Sequence, residues 1–384
     1  MNLAVLPALI DWQPRTRLIF GPGVVDRAGA LTAELGLKHV LLVCDTGMVR
    51  TGYVDRVQDI LEGAGVRVTR FSAFSENPDG DQCAAGAAAA QTAGVDGFVA
   101  LGGGSSLDCA KGANFLHADG GTIADFRGYA RVRGRMLPMI GIPTTAGTGS
   151  DAQSYAVLSD AKTHTKMACG DPGAAFKVAL LDPALTVSQP AHVTAASGYD
   201  ALSHAIEAFV TTARTPLSQT FAREAWRLVR GQLPRVLSDP GDIEARGAML
   251  LGSHLAGLAI EHSMLGAAHA CANPLTAQFD VTHGIAVSLM LPHVVRWNAE
   301  AVGALYADLI DGPGAADPLA GTRLAAELEQ VAVTCGFPAT LRAAGVTEAS
   351  LPSLAEGAAQ QWTGGFNPRE WSLEGALEVY KNAL

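Results

Sequence analysis

At 384 residues the chain exceeds what one ordinary hydrophobic core organises, so two domains are expected. Its composition, 48% apolar and 17% charged, is that of a globular chain and excludes a disordered one. Lys and Arg total 27 against 37 for Asp and Glu, a net charge of −10 with no basic block, which argues against nucleic acid as a partner.

In chain order, RLIFGPG (17–23) reads as a short strand entering a Gly/Pro turn. HVLLVCD (39–45) is a continuous apolar run, as in a strand buried on both faces. YVDRVQDILEGAG (53–65) has helical periodicity and ends at glycine. VRVTRFSAF (66–74) is strand-like, and DQCAAGAAAAQTAG (81–94) is an Ala-rich helix ended by Gly94. GFVALGGGSS (97–106) is a strand entering a glycine loop, followed by the helix LDCAKGANFLHA (107–118). MLPMIGIPTTAGTGSD (136–151) is a further strand, followed by a Thr/Gly loop. This β-α-β-α order predicts an open, mostly parallel sheet covered by helices. After DPALTVSQP (182–190) long helical patterns take over, and strand signals fade. The predicted fold class is α/β plus all-α, with an α/β domain at 1–186 and an all-helical domain at 187–384.

The first twenty residues lack a basic n-region, and Pro7 breaks their short apolar run, so no signal peptide is expected. No uninterrupted apolar stretch is long enough for a transmembrane helix. The six cysteines are scattered without a C-x-x-C pair, which points to reduced thiols and a cytoplasmic protein.

Three features carry chemistry. Gly102-Gly103-Gly104-Ser105-Ser106 lies between a buried strand and a helix. Glycines there let the backbone approach a phosphate, and the helix N-terminus supplies free N–H groups. Ser105 or Ser106 is expected to cap that helix. A tight turn without a ligand explains the loop equally well. The G-x-G-x-x-G fingerprint is absent, since Gly21-Pro-Gly23 fails at its third glycine. The second feature is Pro143-Thr-Thr-Ala-Gly-Thr-Gly-Ser-Asp151, a hydroxyl-rich loop after a strand that suits either a dinucleotide or a plain polar turn. Asp45, ending the HVLLVCD strand, suits an adenosine ribose and hence NAD over NADP, or an ordinary strand-end turn. The third feature is the set Asp200, His204, His269 and His283. Asp200 and His204 are four apart in a helix-forming stretch, so they share one helical face. One carboxylate and three imidazoles make a metal site that holds a substrate oxygen.

These residues resemble the iron-containing (group III) alcohol dehydrogenases. The resemblance runs through FGPG (20–23), NP (77–78), GGGSSLDCAK (102–111), PTTAGTGSD (143–151), DPALT (182–186), GYDALSHAIEAF (198–209), HGIAVSLMLPHVVRWN (283–298) and FNPRE (366–370). It implies a Rossmann-like nucleotide-binding domain and a helical metal-binding domain, the dehydroquinate synthase-like fold. It implies metal ligation by Asp200, His204, His269 and His283. Cofactor contacts fall on Asp45, Asn77, Gly103, Gly104, Ser105, Asp108, Thr144, Thr145, Thr148 and Lys166. The implied cofactors are NAD, with NADP as the alternative, and Fe²⁺, with Zn²⁺ as the alternative.

The chain departs from the family where a second histidine is common four residues after the third ligand; here it is Asn273. Asparagine does not titrate near neutral pH, so it cannot serve as a general acid. Either Asn273 orients the substrate while the proton leaves through water and the cofactor ribose, or His262 substitutes. Glu261 and His262 also depart from the family pattern, which makes both candidates for lining a polar substrate pocket. The reading is an alcohol dehydrogenase or aldehyde reductase acting on a small alcohol or carbonyl compound, without nucleic-acid or membrane partners, and a homodimer. A dehydroquinate-synthase-like lyase or cyclase and a non-catalytic structural homologue are the alternatives.

Overall fold

The computed structural model describes residues 11–160 and 166–384. The first ten residues, part of the segment read above as no signal peptide, and the Thr163–Thr165 stretch before Lys166 lie outside them. The described residues form two compact units, Asp11–Gln189 and Pro190–Leu384.

In the first unit the elements run β1 (Arg17–Phe20), α1 (Ala28–Glu34), β2 (His39–Val43), α2 (Thr46–Val49), α3 (Tyr53–Gly63), β3 (Arg67–Phe71), α4 (Gly80–Ala93), β4 (Gly97–Gly102), α5 (Gly104–Asp119), β5 (Gly128–Tyr129), β6 (Met139–Pro143), β7 (Tyr155–Ser159), β8 (Lys166–Gly170) and β9 (Val178–Leu181). Among the described residues, a six-stranded sheet has the order β1-β9-β6-β4-β2-β3 with every pairing parallel. Its strands β2, β4, β6 and β9 are buried along their whole length; the first three were read from the sequence, and β9 was not. From β2 the chain steps outward to β3, then crosses back to place β4 on the other side of β2. That reversal opens a crevice at the carboxyl ends of β2 and β4, where ligands bind in open α/β sheets.

One sequence expectation is corrected, and one pair of strands went unread. Residues 155–159 and 166–170 form an antiparallel pair that, with β5, makes a second, three-stranded sheet. Their alternation of buried and half-exposed residues is short and was not separable from loop. Neither Ser105 nor Ser106 caps α5. Gly103 is the N-cap and offers no side chain, and both serines lie inside the first turn. Gly102, at φ 143°, makes the turn early enough for the helix to start before them.

The Ala-rich helix α4 begins in a reciprocal capping box, Asp79 Oδ1 accepting from Gln82 N at 2.9 Å and Gln82 Oε1 from Asp79 N at 3.2 Å. It ends at Gly94 in the left-handed region.

The second unit is helical among the described residues: α6 (Ala191–Val210), α7 (Pro216–Val229), α8 (Gln232–Ser238), α9 (Ile243–Glu261), α10 (Ala267–Phe279), α11 (His283–Asp311), α12 (Ala320–Thr334), α13 (Leu351–Ala359) and α14 (Leu373–Ala383). Helix α6 is its axis, packed by α7, α9 and α11. From Gly198 to Val210 every residue of α6 is buried. A helix buried all round must find partners for each polar side chain it carries.

The start of α11 sits hard against α6: a Cβ on Gly284 would stand 2.1 Å from the Ala196 carbonyl oxygen. Replacing Gly284 with Ala is therefore expected to push α11, and His283 with it, away from α6. Overpacking of this kind costs about 1–3 kcal/mol. Urea denaturation should show the lowered midpoint, and chelator competition a weaker metal affinity; unchanged values for both would contradict the packing argument.

All six cysteines are free thiols, five of them buried. Among the described residues no helix is long and apolar enough to cross a membrane.

Candidate metal centre and nucleotide loops

Helix α6 presents Asp200 and His204 one turn apart, with His204 Nε2 3.3 Å from Asp200 Oδ1. Helix α10 brings His269, whose Nε2 lies 3.4 Å from the same oxygen. His283, the first residue of α11, brings its Nε2 to 3.8 Å. The His204 and His269 rings stack at 5.0 Å between centroids, and His269 and His283 lie 5.3 Å apart. Donor atoms of Asp200, His269 and His283 all fall within 4.8 Å of one another. The three imidazoles thus converge on one carboxylate oxygen, His204 from the same helix and His269 and His283 from helices far along the chain.

Asp200 Oδ1 and His269 Nε2 are buried, face each other, and have no hydrogen-bond partner. Buried polar atoms left in that state are costly unless something satisfies both. Donors about 2.1 Å from one tetrahedral ion stand about 3.4 Å apart, close to the 3.3, 3.4 and 3.8 Å that separate the three imidazole nitrogens from Asp200 Oδ1. The residues present therefore fit a divalent metal. The electrostatics agree: burial would push the Asp200 carboxyl up, but His204, His269 and His283 hold it well below the usual carboxylate range. Burial alone would lower the His269 pKa, yet the Glu207 and Asp200 carboxylates raise it to about 9, so an ion bound at Nε2 takes the place of a proton.

Glu207 was missed in the sequence. It is buried on α6 and its Oε2 lies 2.5 Å from His269 Nδ1. The signal was present: Asp200, His204 and Glu207 follow an i, i+4, i+7 spacing along one face of the helix.

Asn273 lies one turn after His269 on α10, half-buried, and its Nδ2 donates to Gln361 Oε1 at 3.0 Å. His262 follows the last turn of α9, half-buried, with its ring 6.5 Å from that of Phe221 on α7. Glu261, the last residue of α9, is also half-buried.

In the first unit the glycine loop and Asp45 meet at the crevice between β2 and β4. Ser106 Oγ donates to Asp45 Oδ2 at 3.1 Å, while Asp45 Oδ1 accepts from Met48 N at 3.0 Å and caps α2. Asp45 therefore opens a turn; a carboxylate has lone pairs left for a further donor. The two loops interlock. A Cβ on Gly104 would stand 2.6 Å from Thr148 Cγ2, and one on Gly103 3.1 Å from Thr145 Cγ2. Thr144 is buried, with its N–H on the Gly102 carbonyl at 2.9 Å. Asn77, at φ 53°, donates its N–H to Ser105 Oγ at 3.3 Å. The sixteen-residue helix α5 starts without a side-chain cap or an acidic residue in its first turn, which leaves its positive end open to an anion.

Asp108 and Lys111 brace this arrangement from inside. Asp108 accepts from Ser150 Oγ at 2.6 Å and Val157 N at 3.0 Å; burial raises its pKa, and Lys111 is the foremost group opposing that rise. Lys111 is fully buried, donating to Ser150 O and Oγ, Gln153 O and Tyr155 O at 2.7–2.9 Å. Lys166 opens β8 and stabilises the charged form of Asp108.

A parallel α/β unit with a glycine loop at its switch point, and a helical unit with a buried Asp/His cluster, make a metal-dependent, dinucleotide-linked oxidoreductase. The comparisons are specific. Residues 14–183 match the family described as iron-containing alcohol dehydrogenase, and residues 194–384 match its C-terminal region. NAD-dependent methanol dehydrogenase of Bacillus methanolicus is 33% identical over 371 residues, covering 95% of this chain and 97% of that protein. The crystal structure of 1,3-propanediol oxidoreductase superimposes with a TM-score of 0.93 at 31% identity, covering 98% and 100% of the two chains. Sulfoacetaldehyde reductase from Bifidobacterium kashiwanohense, solved with NAD+, gives 0.89 at 31% identity, covering 98% and 99%. The chain belongs to the iron-containing alcohol dehydrogenase family. It is a metal-dependent, NAD-linked oxidoreductase of the alcohol dehydrogenase kind.

Proposed function

We propose that Asp200, His204, His269 and His283 hold the metal, Fe²⁺ with Zn²⁺ as the alternative, and that a short-chain alcohol or aldehyde is the substrate. The observation carrying this is the pair of buried, unpartnered atoms Asp200 Oδ1 and His269 Nε2 facing each other at 3.4 Å. When bound, the ion supplies Lewis acidity, which lowers an alcohol's pKa or polarises a carbonyl. Three relatives act on small compounds, methanol, 1,3-propanediol and lactaldehyde, which supports the substrate class, while another is a long-chain-alcohol dehydrogenase.

The chain's own contribution is positioning. Asp45, Asn77, Gly103, Gly104, Ser105, Thr144, Thr145 and Thr148 line the nucleotide loops, with Asp108 and Lys166 supporting them from below. Asp45 favours NAD, because a carboxylate repels a 2′-phosphate. Asn273, one turn from His269, orients the substrate by hydrogen bonding; its place on the same helix supports this role over that of His262, which sits against Phe221 at the end of α9. A homodimer in the cytoplasm completes the reading.

Stripping the full-length protein with a chelator should abolish turnover, and Fe²⁺ or Zn²⁺ should restore it in a screen of short alcohols monitored by NADH and NADPH absorbance. Net NADH accumulation separates a dehydrogenase from a cyclase that recycles its NAD. Full turnover by demonstrably metal-free protein would refute the assignment.

A further inference from the structure

We propose that Glu207 is the positioning residue of the metal centre, fixing the His269 imidazole in one tautomer and seating the helix that carries it. The inference rests on the metal-site reading above. Glu207 is 3% exposed and uses both carboxylate oxygens on α10: Oε2 receives His269 Nδ1 at 2.5 Å, and Oε1 accepts from Ala268 N at 2.8 Å. With Nδ1 as the donor to Glu207, the neutral, metal-binding form of His269 has its lone pair on Nε2, the atom that faces Asp200. A carboxylate behind a metal-bound imidazole fixes its orientation and raises its basicity.

The same contacts replace a missing cap. Gly266 at the start of α10 offers no side chain, so the first N–H groups of that helix need acceptors from elsewhere. Ala267 N donates to Asn367 Oδ1 at 3.3 Å, beside the bond from Ala268 N to Glu207. Asn367 is locked in turn by a two-way amide pair with Asn298, at 2.9 and 2.8 Å, and by donation to the Arg369 carbonyl at 2.8 Å. A Cβ on Gly266 would lie 3.1 Å from both Asn367 Oδ1 and Glu207 Oε1, so glycine is what lets the helix end close on its two acceptors. A negative group at the positive end of α10 is also electrostatically favourable. One helix, α6, thus carries two of the four metal donors and the carboxylate that aims a third. The two carboxylates, Asp200 and Glu207, balance a divalent charge in a buried site.

The test is Co²⁺ binding to the full-length chain, read as a dissociation constant by chelator competition and as the d–d absorption spectrum. Glu207→Gln keeps the side chain's size and removes its charge. It should weaken Co²⁺ binding about 10- to 100-fold, shift the d–d bands, and lower kcat while leaving the KM for NAD unchanged. Glu207→Asp keeps the charge and should recover part of the affinity. If Glu207→Gln does not fold, the Asp variant carries the test, with a weaker affinity and displaced bands expected relative to wild type. A folded variant that binds Co²⁺ within twofold of wild type with a superimposable spectrum overturns the role of Glu207 alone. No Co²⁺ uptake by the wild-type chain would overturn the metal-site reading, and this inference with it.

Discussion

His269→Ala is expected to leave a protein that retains neither metal nor measurable alcohol oxidation, and that unfolds more easily. Two losses combine. The three remaining donors keep Asp200 and its neighbours, but the Nε2 atom that faces Asp200 Oδ1 at 3.4 Å is gone, and an open tetrahedral site binds its ion far more weakly. Behind the ring, Glu207 keeps only the Ala268 N–H, so a buried carboxylate loses its partner at 2.5 Å. Removing one member of a buried charged pair typically costs about 3–5 kcal/mol. Metal content by elemental analysis and the urea midpoint check the two effects separately. A variant with wild-type metal content and turnover would disprove the centre.

Lys111→Met should be the most damaging single change in the nucleotide-binding unit. Methionine keeps the unbranched stem, one atom shorter, but donates nothing. Ser150 O, Gln153 O and Tyr155 O would lose their donor together, and Asp108 its main compensating charge. Each buried acceptor left unsatisfied costs about 1–3 kcal/mol, so a loss of several kcal/mol follows. Because Ser150 and Gln153 follow the Thr/Gly loop, NAD affinity should fall along with stability. Asp108→Asn with Lys111→Met removes both charges and should recover part of the loss. Calorimetric unfolding and NAD titration measure these outcomes, and a Lys111→Met protein as stable as wild type would show that the buried lysine is dispensable.

Much of this organisation was legible because it is local. The apolar runs of β2, β4 and β6 and the helical stretch around Asp200 and His204 are patterns within a few turns of chain. The short hairpin of β7 and β8 was not legible, since five-residue strands with partial alternation look like loop until their pairing is known. The serines after the glycine loop looked like caps by type, but the backbone turn at Gly102 placed them inside the helix.

The sequence by itself determined the residue types of the metal cluster, the helix face shared by Asp200 and His204, and the family. The tertiary structure decided which groups meet. It brought His269 and His283 from α10 and α11 onto the oxygen of Asp200, turned Glu207 from one more polar residue into the partner of His269, and set Asp108 and Lys111 as a buried brace. Periodicity is written into neighbouring residues and survives in the chain alone. A contact between residues 62 or 69 positions apart exists only once packed helices and their caps fix where each backbone lies.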